Sequence, residues 1–368
     1  MEDTKIPTEN EACVMMALGE LKVEKRPLPK EPGPFDVIVA PKKTGLCGSD
    51  MHIFLEGRAG ESVFDRPLIL GHESAGIVSK IGNRVKSLQP GICCLRCEFC
   101  LGGSYGQCGD FQFAAADGFD GTLQGFFSIP EQFCYKLPAH VSMAEGALIE
   151  PLAVAVMAVH SVAKMPHNAN VAVLGAGPVG LLTMAVAKAL GARRILAIDV
   201  QPQRLDFAKQ YAATDVHLAI LKEEGEDMMT YSKRHGKHIL ERFGFGERGE
   251  GLDLVVECSG AEVCVQTGVW IVKRRGTCIQ VGAGPANNLI PMSIFVNKEV
   301  RLIGSLRYGP GCYALALDLV QQGRINLKPL ITHQFPFKNA SEAFKTTKAG
   351  QGPDGKMAIK TIIDGPAV

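Results

Sequence analysis

Charge of one sign is what this sequence most plainly lacks. Lys and Arg number 39 and Asp and Glu 38, so the formal net charge is +1. Without a basic excess, counterion release cannot drive phosphate binding, and nucleic acid is not an expected partner. Long apolar runs are missing too. The stretch 171–187 carries no charge but is shorter than the roughly 20 residues of a spanning helix. Gly175, Gly177, Pro178 and Gly180 break it, which suits a strand–turn–helix better. Met1–Glu11 is polar and acid-containing, without the apolar core of a secretory signal or the acid-poor make-up of a transit peptide. The C-terminal Gly365–Val368 matches no retention or lipidation signal. Repeats and low-complexity segments are absent. The expectation is a cytoplasmic chain with no membrane partner, in a compartment where thiols stay reduced.

What is present is ordinary globular material: 46% hydrophobic and 21% charged residues over 368 positions. That excludes disordered, collagen-like and coiled-coil chains, and the length suits two or three domains. The 12 Cys are too few for a disulfide scaffold of this size and more than packing needs, so their spacing must decide their meaning.

From Glu11 to about Val162 the chain reads as short strands and turns, such as Val37–Val39 and Ala75–Val78, and predicts an irregular all-β domain. The pattern changes near Ala169. The apolar run Val171–Leu174 suits a buried parallel strand. The helical stretch Leu181–Leu190, the strand Ile195–Ile198 and a helix over Pro202–Tyr211 follow. Leu252–Val256 and Gly276–Val281 read as further buried strands. This alternation predicts βαβ units around a parallel sheet. After Val300 the runs are mixed, as in Tyr313–Gln322 and Met357–Ile363. Lys222–Arg248, rich in charge and Gly, reads as a solvated helix and loop.

Gly175-Ala176-Gly177-Pro178-Val179-Gly180 is a G-x-G-x-x-G that follows a strand and opens a helix, the context a dinucleotide site requires. Gly175 permits the tight turn, Gly177 lets backbone approach the pyrophosphate at the helix N-terminus, and Gly180 lets helix and strand pack closely. Asp199 stands 24 residues after Gly175, where a carboxylate binds ribose hydroxyls and repels a 2′-phosphate. NAD is therefore expected over NADP, although Arg204 is of the type that holds that phosphate.

Cys94, Cys97, Cys100 and Cys108 form C-x2-C-x2-C-x7-C, the donor set of a closed structural zinc site; free or paired thiols are the other reading. A dispersed set (Cys47, His72, Glu73 and Glu150) has the mixed donors of catalytic zinc. By spacing alone, such residues read rather as packed core residues.

The motifs Gly45-Leu46-Cys47-Gly48-Ser49-Asp50-Met51-His52, Gly71-His72-Glu73-Ser74-Ala75-Gly76, the four-Cys loop, Glu150-Pro151-Leu152, the glycine turn and Arg307-Tyr308 occur in one order. In this the chain resembles the zinc-containing medium-chain alcohol dehydrogenases, specifically the polyol branch of sorbitol, xylitol and L-arabinitol dehydrogenases. The resemblance covers about Met16 to Ile363. It implies an α/β protein with a GroES-like β-rich catalytic domain at 1–160 and 300–368, a Rossmann NAD-binding domain at 161–299, and a cleft between them. The implied catalytic zinc ligands are Cys47, His72 and Glu73, with Glu150 binding the metal directly or through its water. Ser49 is implied to begin proton relay, Arg307 and Tyr308 to meet the polyol hydroxyls, and Phe126 to form an aromatic wall. Val179, Asp199, Arg204, Val281-Gly282-Ala283 and Ser305-Leu306-Arg307 are implied NAD contacts, and a homotetramer is the implied assembly. The implied reaction takes hydride from a polyol secondary alcohol to NAD and gives the ketose.

Two departures qualify that picture. Leu88-Gln89-Pro90-Gly91 runs directly into Ile92-Cys93-Cys94, where the family has about eight further residues. Ile53 stands where an aromatic is more usual. They leave two rivals: a zinc dehydrogenase of another secondary alcohol, and a catalytically impaired NAD-binding relative.

Overall fold

The structure is a computed structural model and describes residues 9–59, 62–64, 66–85, 104, 107, 113–116, 119–245 and 251–367. Cys94, Cys97, Cys100, Cys108 and the segment preceding Cys94 lie outside the described residues. The chain divides into two compact units, Met1–Glu150 with Asn326–Val368, and Pro151–Ile325.

The first unit carries β1 (Asn10–Ala17), β2 (Glu20–Arg26), β3 (Asp36–Gly45), β4 (Arg58–Ala59), β5 (Ser62–Val63), β6 (Leu68–Ile69), β7 (Glu73–Ile81) and β8 (Phe127–Pro130). The second carries β9 (Asn170–Leu174), β10 (Arg194–Asp199), β11 (Asp215–Leu218), β12 (Leu252–Glu257), β13 (Val272–Gln280) and β14 (Arg301–Gly304). The chain then returns to the first unit with β15 (Ile331–Phe335) and β16 (Lys360–Asp364).

The first unit holds the small sheet β2-β1-β6 and a five-stranded sheet, β15-β16-β3-β7, with β8 also paired to β3. Its largest core gathers Val14, Leu46, Met51, Phe54, Leu68, Leu70, Phe344 and Ile363. The Phe54 and Phe344 rings meet at 4.9 Å, joining residues far apart in sequence. Burying a side chain of that size contributes about 1.5–3 kcal/mol.

The second unit is a six-stranded sheet in the order β11-β10-β9-β12-β13-β14, with parallel pairings throughout. Counted within the sheet, this is the order 3-2-1-4-5-6 of a dinucleotide fold, which binds ligand outside the carboxyl ends of the strands where the order reverses. β9 is buried over Val171–Leu174, as a strand covered on both faces must be. The helix Pro178–Ala189 begins with Pro in its first turn and buries Gly180–Ala187 without a polar face, the pattern of a core helix.

Two readings of the sequence are corrected. The stretch up to Val162 is not all strand and turn. It contains the helices Gly48–Glu56, Met143–Ala147 and Ile149–Val156, the last running into a π-helical turn at Met157–Val162. Ser142 and Glu145 form a reciprocal capping box that starts the second of these. The residues Met143–Val162 are apolar enough by length and composition to cross a membrane, but 78% of that window is buried within the protein. Such a run shows no polar face from which a helical period could be read. The region 222–248 is also not wholly solvated: Asp227 caps the helix Met228–Arg242, which buries Tyr231, His235 and Ile239. Separately, β14 pairs with β13, so the parallel sheet runs on through Arg301–Gly304.

Candidate active site and cofactor seat

The end of β3 organises the residues that could hold a metal ion. In the register of the sheet, Gly45 faces Glu73 on β7 and Ile362 on β16. A side chain at Gly45 would come within 2.3 Å of Glu73 Oε2 and 3.3 Å of Lys360 Cε, so this glycine leaves room for a buried charged pair. The chain then turns at Leu46-Cys47 into the helix Gly48–Glu56. Cys47, His72 and Glu73 place their ligand atoms within 4.8 Å of one another.

The Asp50 carboxylate fixes the orientation of these groups. One oxygen of Asp50 accepts the Cys47 amide at 3.0 Å, and the other accepts the Gly71 amide at 3.0 Å. The latter oxygen also lies 3.4 Å from His72 Nδ1, leaving Nε2 toward Cys47 and Ser49, whose hydroxyl is 3.4 Å from it. A carboxylate behind a metal-binding imidazole sets its tautomer and raises its basicity. Burial opposes charge on His72, but Asp50 outweighs it and holds the ring's affinity for a proton well above the ordinary range.

Lys360 is buried, donates to Glu73 Oε1 at 2.6 Å and to the Leu46 carbonyl at 3.0 Å, and stays charged because Glu73 outweighs the cost of burial. Its ammonium also lies 2.5 Å from Glu73 Oε2, yet that buried oxygen accepts no hydrogen bond from the described residues. Glu150 is 6% exposed. Burial pushes its carboxyl up to about 7, with Glu73 adding to the rise and His72 opposing it. A thiol, an imidazole held to receive a cation and a carboxylate oxygen without a hydrogen bond fit a zinc ion.

The cofactor seat lies in the second unit. Gly175 has φ +95°, a value costly for any other residue, and the Cβ it lacks would meet Ser259 at 3.1 Å. A Cβ on Gly180 would strike the Gly175 carbonyl at 1.9 Å, while one on Gly177 would meet nothing within 4 Å. The open side at Gly177, at the start of the helix Pro178–Ala189, is the cradle a pyrophosphate would enter. Asp199 ends β10, buried. Its oxygens accept the amides of Ala176 at 2.7 Å and Gln201 at 2.8 Å, and the Arg204 guanidinium is 4.0 Å away. The residues present therefore fit NAD.

Two family models match: the alcohol dehydrogenase GroES-like domain over residues 33–139 and the zinc-binding dehydrogenase over residues 178–322. A probable D-xylulose reductase A of Neosartorya fischeri is 42% identical over 373 residues, covering 99% of each chain. Its counterpart in Emericella nidulans is 43% identical over 372 residues, again covering 99% of each. The chain belongs to the zinc-containing medium-chain alcohol dehydrogenases. Within them it falls in the polyol branch, and its cofactors are zinc and NAD. Among solved structures, L-idonate 5-dehydrogenase from Escherichia coli is 27% identical with a TM-score of 0.80, over 97% of this chain and 98% of that one.

Within the dehydrogenase, Glu150 stands outside the close set of three ligand atoms and acts on it through its charge. Arg307 adopts φ 53°, and Tyr308 packs edge-on against Tyr313 at 4.8 Å. Val281 and Gly282 follow β13, and their amides donate to the Glu257 carbonyl at 2.9 and 3.0 Å. Val179 sits in the first turn after the glycines. Phe126 is 4% exposed and packs with Ile38 and Ala40. Ile53 is 3% exposed in the core beside Phe54. Cys13, Cys134, Cys258, Cys264, Cys278 and Cys312 are free thiols. Reading the sequence assigned no role to Asp50, Lys360 or Glu257. Asp50 could have been found from its position three residues after Cys47; the others carry no local signal.

Proposed function

We propose that this dehydrogenase interconverts a pentitol and its 2-ketose, xylitol and D-xylulose, with NAD as hydride partner. The observation that carries the reading is the convergence of Cys47, His72 and Glu73 beside a buried Glu150, in a chain about 42% identical over its full length to proteins called D-xylulose reductase. Zinc, when bound, makes a coordinated hydroxyl more acidic, and NAD supplies the acceptor for hydride.

The chain's own residues do the rest. Cys47, His72 and Glu73 hold the metal, and Glu150 reaches it through water. The Ser49 hydroxyl takes the alcohol proton and passes it outward. Glu150, buried beside the metal-holding residues, is placed to exchange a proton with that water. Arg307 and Tyr308 receive the neighbouring hydroxyls of a polyol, so a simple alcohol would leave polar groups unpaired. Gly175, Gly177, Val179 and Gly180 seat the pyrophosphate, Asp199 and Arg204 the adenosine ribose, and Val281 and Gly282 the nicotinamide side. Cys94, Cys97, Cys100 and Cys108 hold a second, structural zinc. Domain limits at 1–160 with 300–368, and 161–299, are kept as working boundaries. A cytoplasmic homotetramer is the proposed form. In its support, β14 ends the parallel sheet with Ile303 and the nearby Met292 and Val296 exposed, an edge suited to pairing.

Zinc analysis combined with NADH absorbance across xylitol, sorbitol, L-arabinitol and 2-propanol tests the reading. The expected result is bound zinc and faster NADH formation with xylitol than with 2-propanol. Stoichiometric NAD binding with turnover of no polyol would overturn it.

A further inference from the structure

The carboxylate of Glu257 ends β12 and is 4% exposed. It takes part in none of the ion pairs found among the described residues. Its charge is met by donors from two loops instead. Oε1 accepts the Ser259 amide at 2.7 Å and the Ser259 hydroxyl. The Gly260 amide reaches both oxygens, at 3.1 and 2.9 Å. Oε2 accepts Gln280 Nε2 at 2.7 Å, and the same amide nitrogen donates to the Gly282 carbonyl at 2.8 Å. A buried carboxylate is tolerated only when hydrogen bonds replace its water, and here every replacement comes from the chain beyond β12 or from the end of β13.

These two loops touch backbone to backbone. A Cβ on Gly260 would lie 2.2 Å from the Ala283 carbonyl, one on Gly282 2.2 Å from the Gly260 amide, and one on Gly284 1.8 Å from the Gly260 carbonyl. No side chain separates them; the polar clamp, together with the Val281 and Gly282 amides on the Glu257 carbonyl, sets their spacing. The Ser259 end reaches the glycine turn, because the missing Cβ of Gly175 would meet Ser259. The Cys258 amide donates to the Leu174 carbonyl at 2.8 Å.

Their position in the sheet gives the clamp its role. The order reverses between β9 and β12, and a dinucleotide crosses the carboxyl ends of the strands there. Asp199 on β10 marks the adenosine side. The ends of β12 and β13 are therefore the nicotinamide side. Beside them, the buried Oε1 of Gln280 and Oγ of Ser305 have no hydrogen-bond partner among the described residues.

We propose that Glu257 is a positioning residue for the nicotinamide half of NAD: its carboxylate clamps the loops 258–260 and 280–284 into the shape that receives that half. The proposal rests on the NAD-binding reading above and goes beyond it by naming the group that shapes one half of the seat.

The test compares NADH with ADP-ribose, which lacks the nicotinamide, on zinc-loaded protein by fluorescence and calorimetry. Glu257→Gln turns an amide NH2 against the Ser259 and Gly260 donors. It is expected to weaken NADH by about tenfold or more, leave ADP-ribose within about twofold, and leave zinc content unchanged. Gln280→Leu keeps the buried charge but cuts the tie to the 280–284 loop. It should shift NADH in the same direction by a smaller factor, and it serves where Glu257→Gln fails to fold. Equal loss of both ligands, or loss of neither, would overturn the clamp. Failure of the unmodified protein to bind both NADH and ADP-ribose would instead overturn the cofactor reading itself.

Discussion

The carboxylate of Asp50 stands 3.4 Å from Nδ1 of His72, and both side chains are buried. The same carboxylate holds the amides of Cys47 and Gly71. One residue therefore aligns the backbone at two of the three metal ligands and the ring of one. This arrangement ties Cys47 to the Gly71-His72-Glu73 segment through an anion that is not itself in the candidate ligand set.

Asp50→Asn should lower zinc affinity by about 10–100-fold. The amide of Asn must turn its NH2 toward either a backbone donor or the His72 ring, so one of the three contacts becomes repulsive. Competition with a chromogenic chelator measures the effect. Affinity equal to that of the unmodified protein would show that Asp50 does not position the ligands.

Lys360→Met leaves Glu73 as a buried carboxylate without its cation. Breaking a buried pair from one side costs about 3–5 kcal/mol, and that loss is expected in the zinc-free protein. In the zinc-loaded protein the metal supplies the missing charge, so the loss should be much smaller. Urea unfolding with and without zinc distinguishes the two, and an equal loss in both states would refute the pairing argument.

Ser49→Ala should lower kcat by about 10²-fold while zinc content and NADH affinity stay unchanged, because Ser49 lies beside His72 Nε2 without being one of the clustered donors. Unchanged turnover would remove Ser49 from the proton route.

Acid should destabilise the second unit through His217 and His235, whose Nε2 atoms are 3.1 Å apart in a buried pair. Burial, then His235, Arg242 and His238, push His217 down to about 3; burial, then His238 and Arg234, push His235 down to about 4. In the unfolded chain both titrate near pH 6.5. Between about 6.5 and 4 the unfolded state therefore binds more protons, and stability falls as pH falls through that window. The slope is at most about 1.4 kcal/mol per pH unit for each histidine. His217→Asn should flatten it in denaturant titrations at pH 6, 5 and 4; an unaltered slope would show that the pair is not the acid-sensitive element.

The parts of the protein that could be read from sequence are those written in adjacent residues. The Val171–Leu174 strand, the glycine turn and the helix over Pro202–Tyr211 stand where hydrophobic period and turn chemistry put them. The helix Met143–Val162 did not show itself, because a helix buried on all sides has no polar face and its composition matches a run of core strands. The capping pair Ser142 and Glu145 was the local sign of it. The helix Gly48–Glu56 was hidden in the same way, since a cysteine begins it and the carboxylate that fastens its start, Asp50, looks in sequence like a loop residue.

The sequence by itself determined the family and the dinucleotide turn with its acidic partner, because each is written in short motifs whose residue types carry the chemistry; Cys47, His72, Glu73 and Glu150 became candidate zinc donors only through the family resemblance, since their spacing alone reads as packed core. It also determined the near-zero charge that suits a small neutral substrate. The tertiary structure decided how the donors are held and what balances them. Lys360 meets Glu73 across 287 positions, at a place where β16 and β7 flank the end of β3, and Gly45 makes space for the pair. Glu257 likewise finds its donors only because β12 and β13 end side by side. Buried charge must be compensated by whatever the fold brings within reach, and strand pairing between distant segments, not sequence proximity, sets that reach.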